Sequence, residues 1–252
     1  MGFDVAAAAY DAFMGRYARR LSAQFVEFAG VAADQRVLDV GCGPGTLTVE
    51  LVGRLGPASV AAVDPSGSFV EAARSRMPGV DIRRASAEAL PFESASFDAA
   101  VAQLVVHFMP DPVAGLREMA RVTRIGGAIA ASVWDHAGGF GPLGTFWSVA
   151  REVHPGVVDE SNLPGARGGH LSQLFEAAGL ASVIETSLVA DLEHPTFEEW
   201  WGPFTHGVGP AGAYVQSLDP GHRAALRDRC RTVLGDGPFV IPARAWAARG
   251  QA

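Results

Sequence analysis

A chain of 252 residues, 48% hydrophobic and 19% charged, has the apolar material for one globular core or at most two. A net charge of −7 is too modest for a self-repelling disordered chain and of the wrong sign for a protein built to grip phosphate backbones. Two cysteines exclude a disulfide framework, and since all 20 basic residues are arginine, a Schiff-base lysine or a P-loop lysine is excluded as well. The longest apolar stretch, Ala99 to Pro110, is broken by Gln103 and His107 and falls short of a membrane span. The N-terminal stretch sets Asp4 and Asp11 around Ala6–Ala9 with no basic flank, so the expectation is a cytoplasmic chain without a secretory signal.

Short apolar runs alternate with helical stripes along the first half of the chain. Arg36–Val40 reads as a buried strand that runs into a glycine loop, and Leu47, Leu51, Val52 and Leu55 recur behind it at helical spacing. Ser59–Val63 is predicted as a second strand, followed by a helix with Ser68 and Glu71 as its capping box. Val80–Ala85 and Phe97–Gln103 are predicted as the third and fourth strands. Asp111–Pro112 should cap and open a helix that ends at Gly126–Gly127, and Ala128–Trp134 should be the fifth strand. After a Gly- and Pro-rich stretch, Leu171, Leu174, Phe175 and Ala178 mark a helix closed by Gly179, and Ala181–Val189 a sixth strand. Phe239–Ala247 alternates with period two, as an antiparallel strand does.

These elements predict an α/β fold: a Rossmann-like, doubly wound, mostly parallel sheet of seven strands whose last strand is antiparallel. The expected organisation is one domain over 1–252, with a leader at 1–30 and two helical cap insertions at about 135–169 and 194–237. Ligands of such sheets bind outside the carboxyl ends of the strands, the edge from which the first insertion departs.

The strongest chemical signal is Asp39-Val40-Gly41-Cys42-Gly43-Pro44-Gly45-Thr46, a strand running into glycines at alternate positions with a helix behind them. Glycine is needed where a ligand approaches backbone too closely for a Cβ or where φ is positive, and the N–H groups of the following helix face that ligand. Asp64 closes the second strand, where a ribose-gripping carboxylate belongs in a nucleotide-binding unit. A nicotinamide or flavin fingerprint, G-x-G-x-x-G/A, would put its third small residue at Thr46, whereas here the third glycine comes one residue early, at Gly45.

Asp39 with G-x-G-x-G resembles the first motif of the class I S-adenosylmethionine (SAM)-dependent methyltransferases. The resemblance extends to Ser86-Ala87-Glu88-Ala89-Leu90-Pro91-Phe92, to Phe97-Asp98 and to Arg124-Ile125-Gly126-Gly127, which are similar to the small-molecule, type 11 branch that includes quinone-biosynthesis C-methyltransferases. It implies SAM as cofactor and S-adenosylhomocysteine as product. Gly41, Gly43 and Gly45 would line the methionine moiety, Asp39 would orient the loop and the ammonium, and Asp64 would bind the ribose hydroxyls. Pro65 or Ser66 would lie beside adenine, the Ala87 backbone would meet its edge, and Gln103 would face the sulfonium end. The family often has Asp where this chain has Ser86, so either Ser86 or Glu88 takes the adenine amino group. The segment around Tyr10–Tyr17 is similar to leaders that fold over the SAM pocket, with Tyr17 or Arg16 reaching the SAM carboxylate.

Methyl transfer from a sulfonium is an in-line displacement that needs positioning above all, and a base only if the acceptor must shed a proton. His107 is then either that base or a loop histidine satisfied by backbone. Trp134 and His136 fall on the same edge of the sheet. Phe197, Trp200, Trp201 and Phe204 share one helix face behind a Thr196/Glu199 capping box, and either close over an apolar acceptor or form a packing seam. The chain lacks an Asn/Asp-Pro-Pro-aromatic box and a Pro-Cys pair after strand four, which argues against nucleic-acid acceptors, and no cluster has metal-ligand spacing. The expected partner is a small, apolar or aromatic molecule methylated on oxygen or carbon. The rivals are a NAD(P)-dependent Rossmann oxidoreductase and a SAM-binding protein without transferase activity.

Overall fold

A computed structural model describes residues 7–252; the N-terminal reading around Asp4 and Ala6, with the first residues of the leader, lies outside them. The chain opens with two helices, α1 (Ala7–Ala12) and α2 (Met14–Ala29), separated by Phe13. Five strands follow, β1 (Val37–Val40), β2 (Val60–Asp64), β3 (Asp81–Arg84), β4 (Phe97–Gln103) and β5 (Thr123–Trp134). Between them lie α3 (Thr46–Leu55), α4 (Gly67–Arg76) and α5 (Pro112–Val122). Then come α6 (Gly144–Val153), α7 (His170–Ala178), β6 (Ala181–Val189) and β7 (Leu192–His194). The chain finishes with α8 (Phe197–Trp201), α9 (Gly209–Ser217), α10 (Pro220–Leu234), β8 (Phe239–Ile241) and β9 (Arg244–Gln251).

The main sheet has seven strands in the order β3-β2-β1-β4-β5-β9-β6, with β9 antiparallel to both of its neighbours. Val37 pairs with Val60 on one side and Ala99 on the other, so the order reverses direction next to β1 and leaves a crevice at its carboxyl end. Every residue of β1 and β2 is buried, as strands covered on both faces require. Val37, Ala99 and Val101 pack with Phe25, Leu47 and Leu51 on one face, while Leu38, Val40 and Ala100 pack with Leu116, Met119 and Phe175 on the other.

Three local expectations are corrected. The cap of α4 is Ser66, whose Oγ accepts from Phe69 N, rather than the Ser68/Glu71 pair. The glycine pair Gly126–Gly127 lies inside β5 and does not end α5, which stops at Val122. A Cβ on Gly127 would sit 2.5 Å from the Asp98 carbonyl, and the ladder with β4 jumps here from Phe97↔Thr123 to Ala99↔Ala128, so these glycines serve a bulge. The single strand expected over Phe239–Ala247 is divided, because Pro242 has no N–H for the ladder. Phe239–Ile241 pairs with β7 as a separate ribbon, and β9 begins at Arg244.

The helices after β5 and β6 share a core with the leader. Phe13, Tyr17 and Leu21 pack in one cluster with Phe146 and Trp147 of α6 and with Phe197, Trp200, Trp201 and Phe204. No helix among the described residues is long and apolar enough to cross a membrane.

Candidate active site

A cavity of about 700 Å³ opens at the carboxyl ends of β1, β2 and β4. Its floor is the glycine loop, held by the neighbouring strand: Gly41 and Cys42 both donate backbone N–H groups to the Val63 carbonyl, at 2.8 and 3.0 Å. Gly43 N donates to Asp64 Oδ2 and Ser66 N to Asp64 Oδ1, each at 2.8 Å. One carboxylate thus ties the first turn to the second.

The three glycines have separate tasks, although all have positive φ (73°, 55° and 97°). A Cβ on Gly41 would lie 2.3 Å from Val105, and one on Gly45 2.3 Å from the Met77 methyl. On Gly43 it would meet nothing within 4 Å. Gly43 faces the cavity, and Gly41 also lines it; Gly45 does not, because it caps α3 against α4, which corrects its expected place at the ligand.

Asp39 lines the cavity with 1% exposure, and its carboxylate accepts from Thr48 Oγ1 at 2.6 Å. Burial pushes its pKa up to about 7, with nearby Asp64 adding to the rise against the Thr48 bond. The Asp64 carboxyl is also raised, by burial, against the two backbone bonds that favour its charge. Pro65, Ser66, Ser86, Ala87, Glu88 and Gln103 all line the same cavity. Gln103 Nε2 donates to the Ala18 carbonyl and to Ser22 Oγ of α2, while its buried Oε1 and the buried Thr46 Oγ1 have no hydrogen-bond partner among the described residues.

The leader reaches the cavity by another residue than expected. Tyr17 donates or accepts at His194 Nε2 (2.7 Å) and Arg16 pairs with Glu199 (2.6 Å), so both fasten α2 to the segment after β6. Tyr10, on α1, is the tyrosine that lines the cavity, and its ring packs 5.5 Å from Phe69. Burial raises its hydroxyl to about 12. The spacing of seven puts Tyr10 and Tyr17 on one helical face, and only the break at Phe13 (φ −100°, ψ −91°) separates them. Leu104 was also missed: it follows β4 with φ +61°, a strained conformation for a γ-branched residue, and lies on the cavity wall.

A second, narrow cleft adjoins the first, and Tyr10, Leu104, His107 and Phe108 line both. Trp134 and His136 line this cleft, and the rings of His107 and His136 stand 5.6 Å apart. Burial pushes His107 well below the usual imidazole range and His136 down to about 4. His107 Nδ1 and His136 Nε2 are buried without partners among the described residues, so backbone there does not satisfy that nitrogen of His107. Trp200, Trp201 and Phe204 do not line either cavity. They are 0–4% exposed and packed on each other, on Phe146 and on Phe13, so their expected place in an acceptor pocket is corrected to a packing seam.

A strand order with one antiparallel member, a glycine loop after β1 and an acid closing β2 define the class I SAM-dependent methyltransferase fold. The family model described as "Methyltransferase domain" matches residues 38–131. An uncharacterized protein of Mycobacterium tuberculosis, Rv1405c, is 31% identical over 209 residues, 77% of this chain and 75% of that one. The 2-methyl-6-phytyl-1,4-hydroquinone methyltransferase 2 of Oryza sativa subsp. japonica is 40% identical over 94 residues, 36% of this chain and only 27% of the rice protein. The crystal structure of a SAM-dependent methyltransferase from Thermotoga maritima superposes with a TM-score of 0.57 at 21% identity, covering 97% of this chain and 98% of that one. The chain belongs to the type 11 group of this methyltransferase family.

Proposed function

We propose that this chain binds SAM across the tips of β1 and β2 and transfers its methyl group to oxygen or carbon of a small, apolar or aromatic acceptor. The observation that carries the reading is Gly43: a positive-φ residue with open space above its Cα, hydrogen-bonded to the buried Asp64 carboxylate in a cavity that buried Asp39 also lines. The cavity falls in the roughly 300–1,000 Å³ range of sites that enclose drug-sized ligands. The residues present suit the ligand. A buried Asp39, hydrogen-bonded to Thr48 rather than to a cation, matches an ammonium, and Thr46 Oγ1 and Gln103 Oε1 offer unused polar atoms to the methionine end. Asp64 keeps lone pairs for the ribose hydroxyls beyond the two that take N–H groups, and Ser86 or Glu88, which line the same cavity, would take the adenine amino group.

When bound, SAM supplies an electrophilic methyl group on a good leaving group. The protein's part is to hold the acceptor in line and keep water out. Apolar side chains from the leader and from the segments after β5 and β6 enclose the adjoining cleft. In this reading His107, in the wall shared by the two spaces and kept uncharged at pH 7 by burial, takes a proton from an acceptor hydroxyl.

Thermal unfolding with SAM, S-adenosylhomocysteine and the nicotinamide cofactors, followed by transfer from labelled SAM to quinols and phenols, tests the proposal. Stabilisation by nicotinamide cofactors alone would overturn it. Asp64→Ala is expected to weaken S-adenosylhomocysteine at least about tenfold by calorimetry, since it removes a charged hydrogen-bond acceptor and loosens Gly43. Unchanged affinity would remove Asp64 from the ribose site.

The raised pKa of Asp39 adds a pH dependence. With a folded value of about 7, the ligand-free site is protonated at pH 6, and an ammonium must displace that proton. Affinity for S-adenosylhomocysteine should therefore rise by about tenfold between pH 6 and pH 8, the change in the ionised fraction for such a group. Asp39→Asn should flatten the curve, and a wild-type curve already flat over this range would contradict the ammonium assignment.

A further inference from the structure

The narrow cleft beyond His107 has room for about 40 Å³. That is too little for a methyl acceptor and enough for a water molecule, which takes about 30 Å³ in the liquid. His107 and His136 both line the cleft, and His107 Nδ1 and His136 Nε2 are the buried nitrogens without partners among the described residues. Burying an imidazole nitrogen without a hydrogen bond is costly, so folded proteins supply a partner or an ordered water. The ring centroids stand 5.6 Å apart, and neither of these nitrogens bonds the other. Two hydrogen bonds of about 2.9 Å through one water span up to about 5.8 Å, so a single molecule can serve both.

Both rings are held. Phe108 packs on His107 with centroids 3.9 Å apart. His136 follows Asp135, whose carboxylate accepts from Gly138 N at 3.0 Å and from Arg244 Nε at 2.9 Å. Tyr10 and Glu160 are the other titratable groups on the cleft among the described residues. The two imidazoles differ in their electrostatic surroundings. Burial disfavours charge on each, but Asp135 and the Arg151-paired Asp159 favour it at His136, whereas a charged His136 adds to the penalty at His107. A proton shared between the two rings therefore resides on His136.

We propose that the cleft binds one water between His107 Nδ1 and His136 Nε2, and that through it His136 receives the proton that His107 takes from a hydroxyl acceptor. The inference rests on the methyltransferase reading, in which His107 is the base. The acceptor O–H bond breaks, its electron pair forms the new O–CH3 bond, and its hydrogen joins His107 Nε2. Nδ1 passes its own hydrogen to the water, and the water passes another to His136 Nε2. His107 ends neutral in its other tautomer, the water is unchanged, and the positive charge lost from the sulfonium reappears on His136. His136 is thus a positioning residue that spares His107 a buried charge, and it returns the proton to solvent after product leaves.

A crystal structure of the full chain with S-adenosylhomocysteine, at a resolution that shows ordered water, tests the bridge. One oxygen should lie within about 3.2 Å of both nitrogens and be missing in His136→Phe. A dry cleft, or a protein group bonded to either nitrogen, overturns the proposal. Methyl transfer to 2-naphthol with SAM saturating, followed from pH 7 to pH 9, tests the relay. Wild-type kcat should be flat. His136→Asn can hold the water but not take its proton, so its kcat should fall at least about tenfold at pH 7 while KM stays within about threefold. Its kcat should then climb about tenfold per pH unit as ionised naphthol takes over, a slope that lost packing would not produce. A variant as fast as the wild type, or slowed equally at every pH, overturns the relay. If His136→Asn does not fold, His136→Gln takes its place, and if 2-naphthol is not methylated the crystal structure decides alone. Failure of the wild type to bind S-adenosylhomocysteine would instead overturn the methyltransferase reading.

Discussion

Replacing Gly43 by leucine is expected to weaken S-adenosylhomocysteine binding by at least about a hundredfold while the protein still folds. The separation follows from what surrounds each glycine of the loop. At Gly43 an added side chain meets open space, so the folded state pays only for φ +55°, about 1–2 kcal/mol. The leucine would then occupy the cavity in which the methionine moiety is proposed to lie. Gly41→Ala should do the reverse. Its Cβ would lie within 2.8 Å of three Val105 atoms, so it disturbs packing between the first and fourth strand tips and lowers stability. Calorimetric titration beside thermal unfolding distinguishes the two. If Gly43→Leu binds like the wild type, the ligand does not cross this loop.

Phe146→Ala carries the largest expected loss of stability, about 3–5 kcal/mol, as for other fully buried aromatic side chains. Phe146 is 0% exposed and stacks on Phe204 at 4.5 Å and 12°. It also meets Trp201 at 6.5 Å and Tyr214 at 6.2 Å. It comes from the segment after β5, and all three partners come from the segment after β6, so the ring joins the two segments beside the His154–Tyr214 hydrogen bond and the Glu152–Arg229 ion pair. For a chain of this size the melting temperature should fall on the order of 10 °C, followed by denaturant or thermal unfolding. A loss under about 1 kcal/mol would mean that the seam relaxes around the gap.

Much of the sheet was legible because its signals are local. Arg36–Val40, Phe97–Gln103 and Ala181–Val189 are apolar or alternating runs bounded by breakers, and the strands found there match them within a residue. The caps at Asp111 and Thr196 were legible for the same reason: a cap bonds three residues ahead, to Ala114 and to Glu199. Gly126–Gly127 misled because a glycine pair after a helical stripe looks like a stop, and only the approach of Asp98 shows it to be a bulge.

The site divides similarly. Gly41, Gly43, Asp39, Asp64 and Gln103 lie at or beside strand ends, and the cavity forms around them. Tyr10 comes from the leader, and it reaches the cavity only through tertiary packing. The aromatic stripe was equally consistent with a lining and with a seam, since helical spacing reveals a shared face and not what covers it. Trp201 and Phe204 turned out to face Phe146.

The place of β9 between β5 and β6 has a consequence for the order of events during synthesis. β6 has no other strand neighbour in its sheet, and β9 is made some fifty residues after it. While the intervening helices emerge from the ribosome, β5 and β6 both present open edges, the state most exposed to unwanted pairing. The β5–β9 ladder, from Ala128↔Gln251 to Trp134↔Ala245, and the β6–β9 ladder, from Ala181↔Gln251 to Val189↔Arg244, close the two facing edges together. The methyltransferase core therefore completes its sheet last, with the arrival of the strand that runs against all the others.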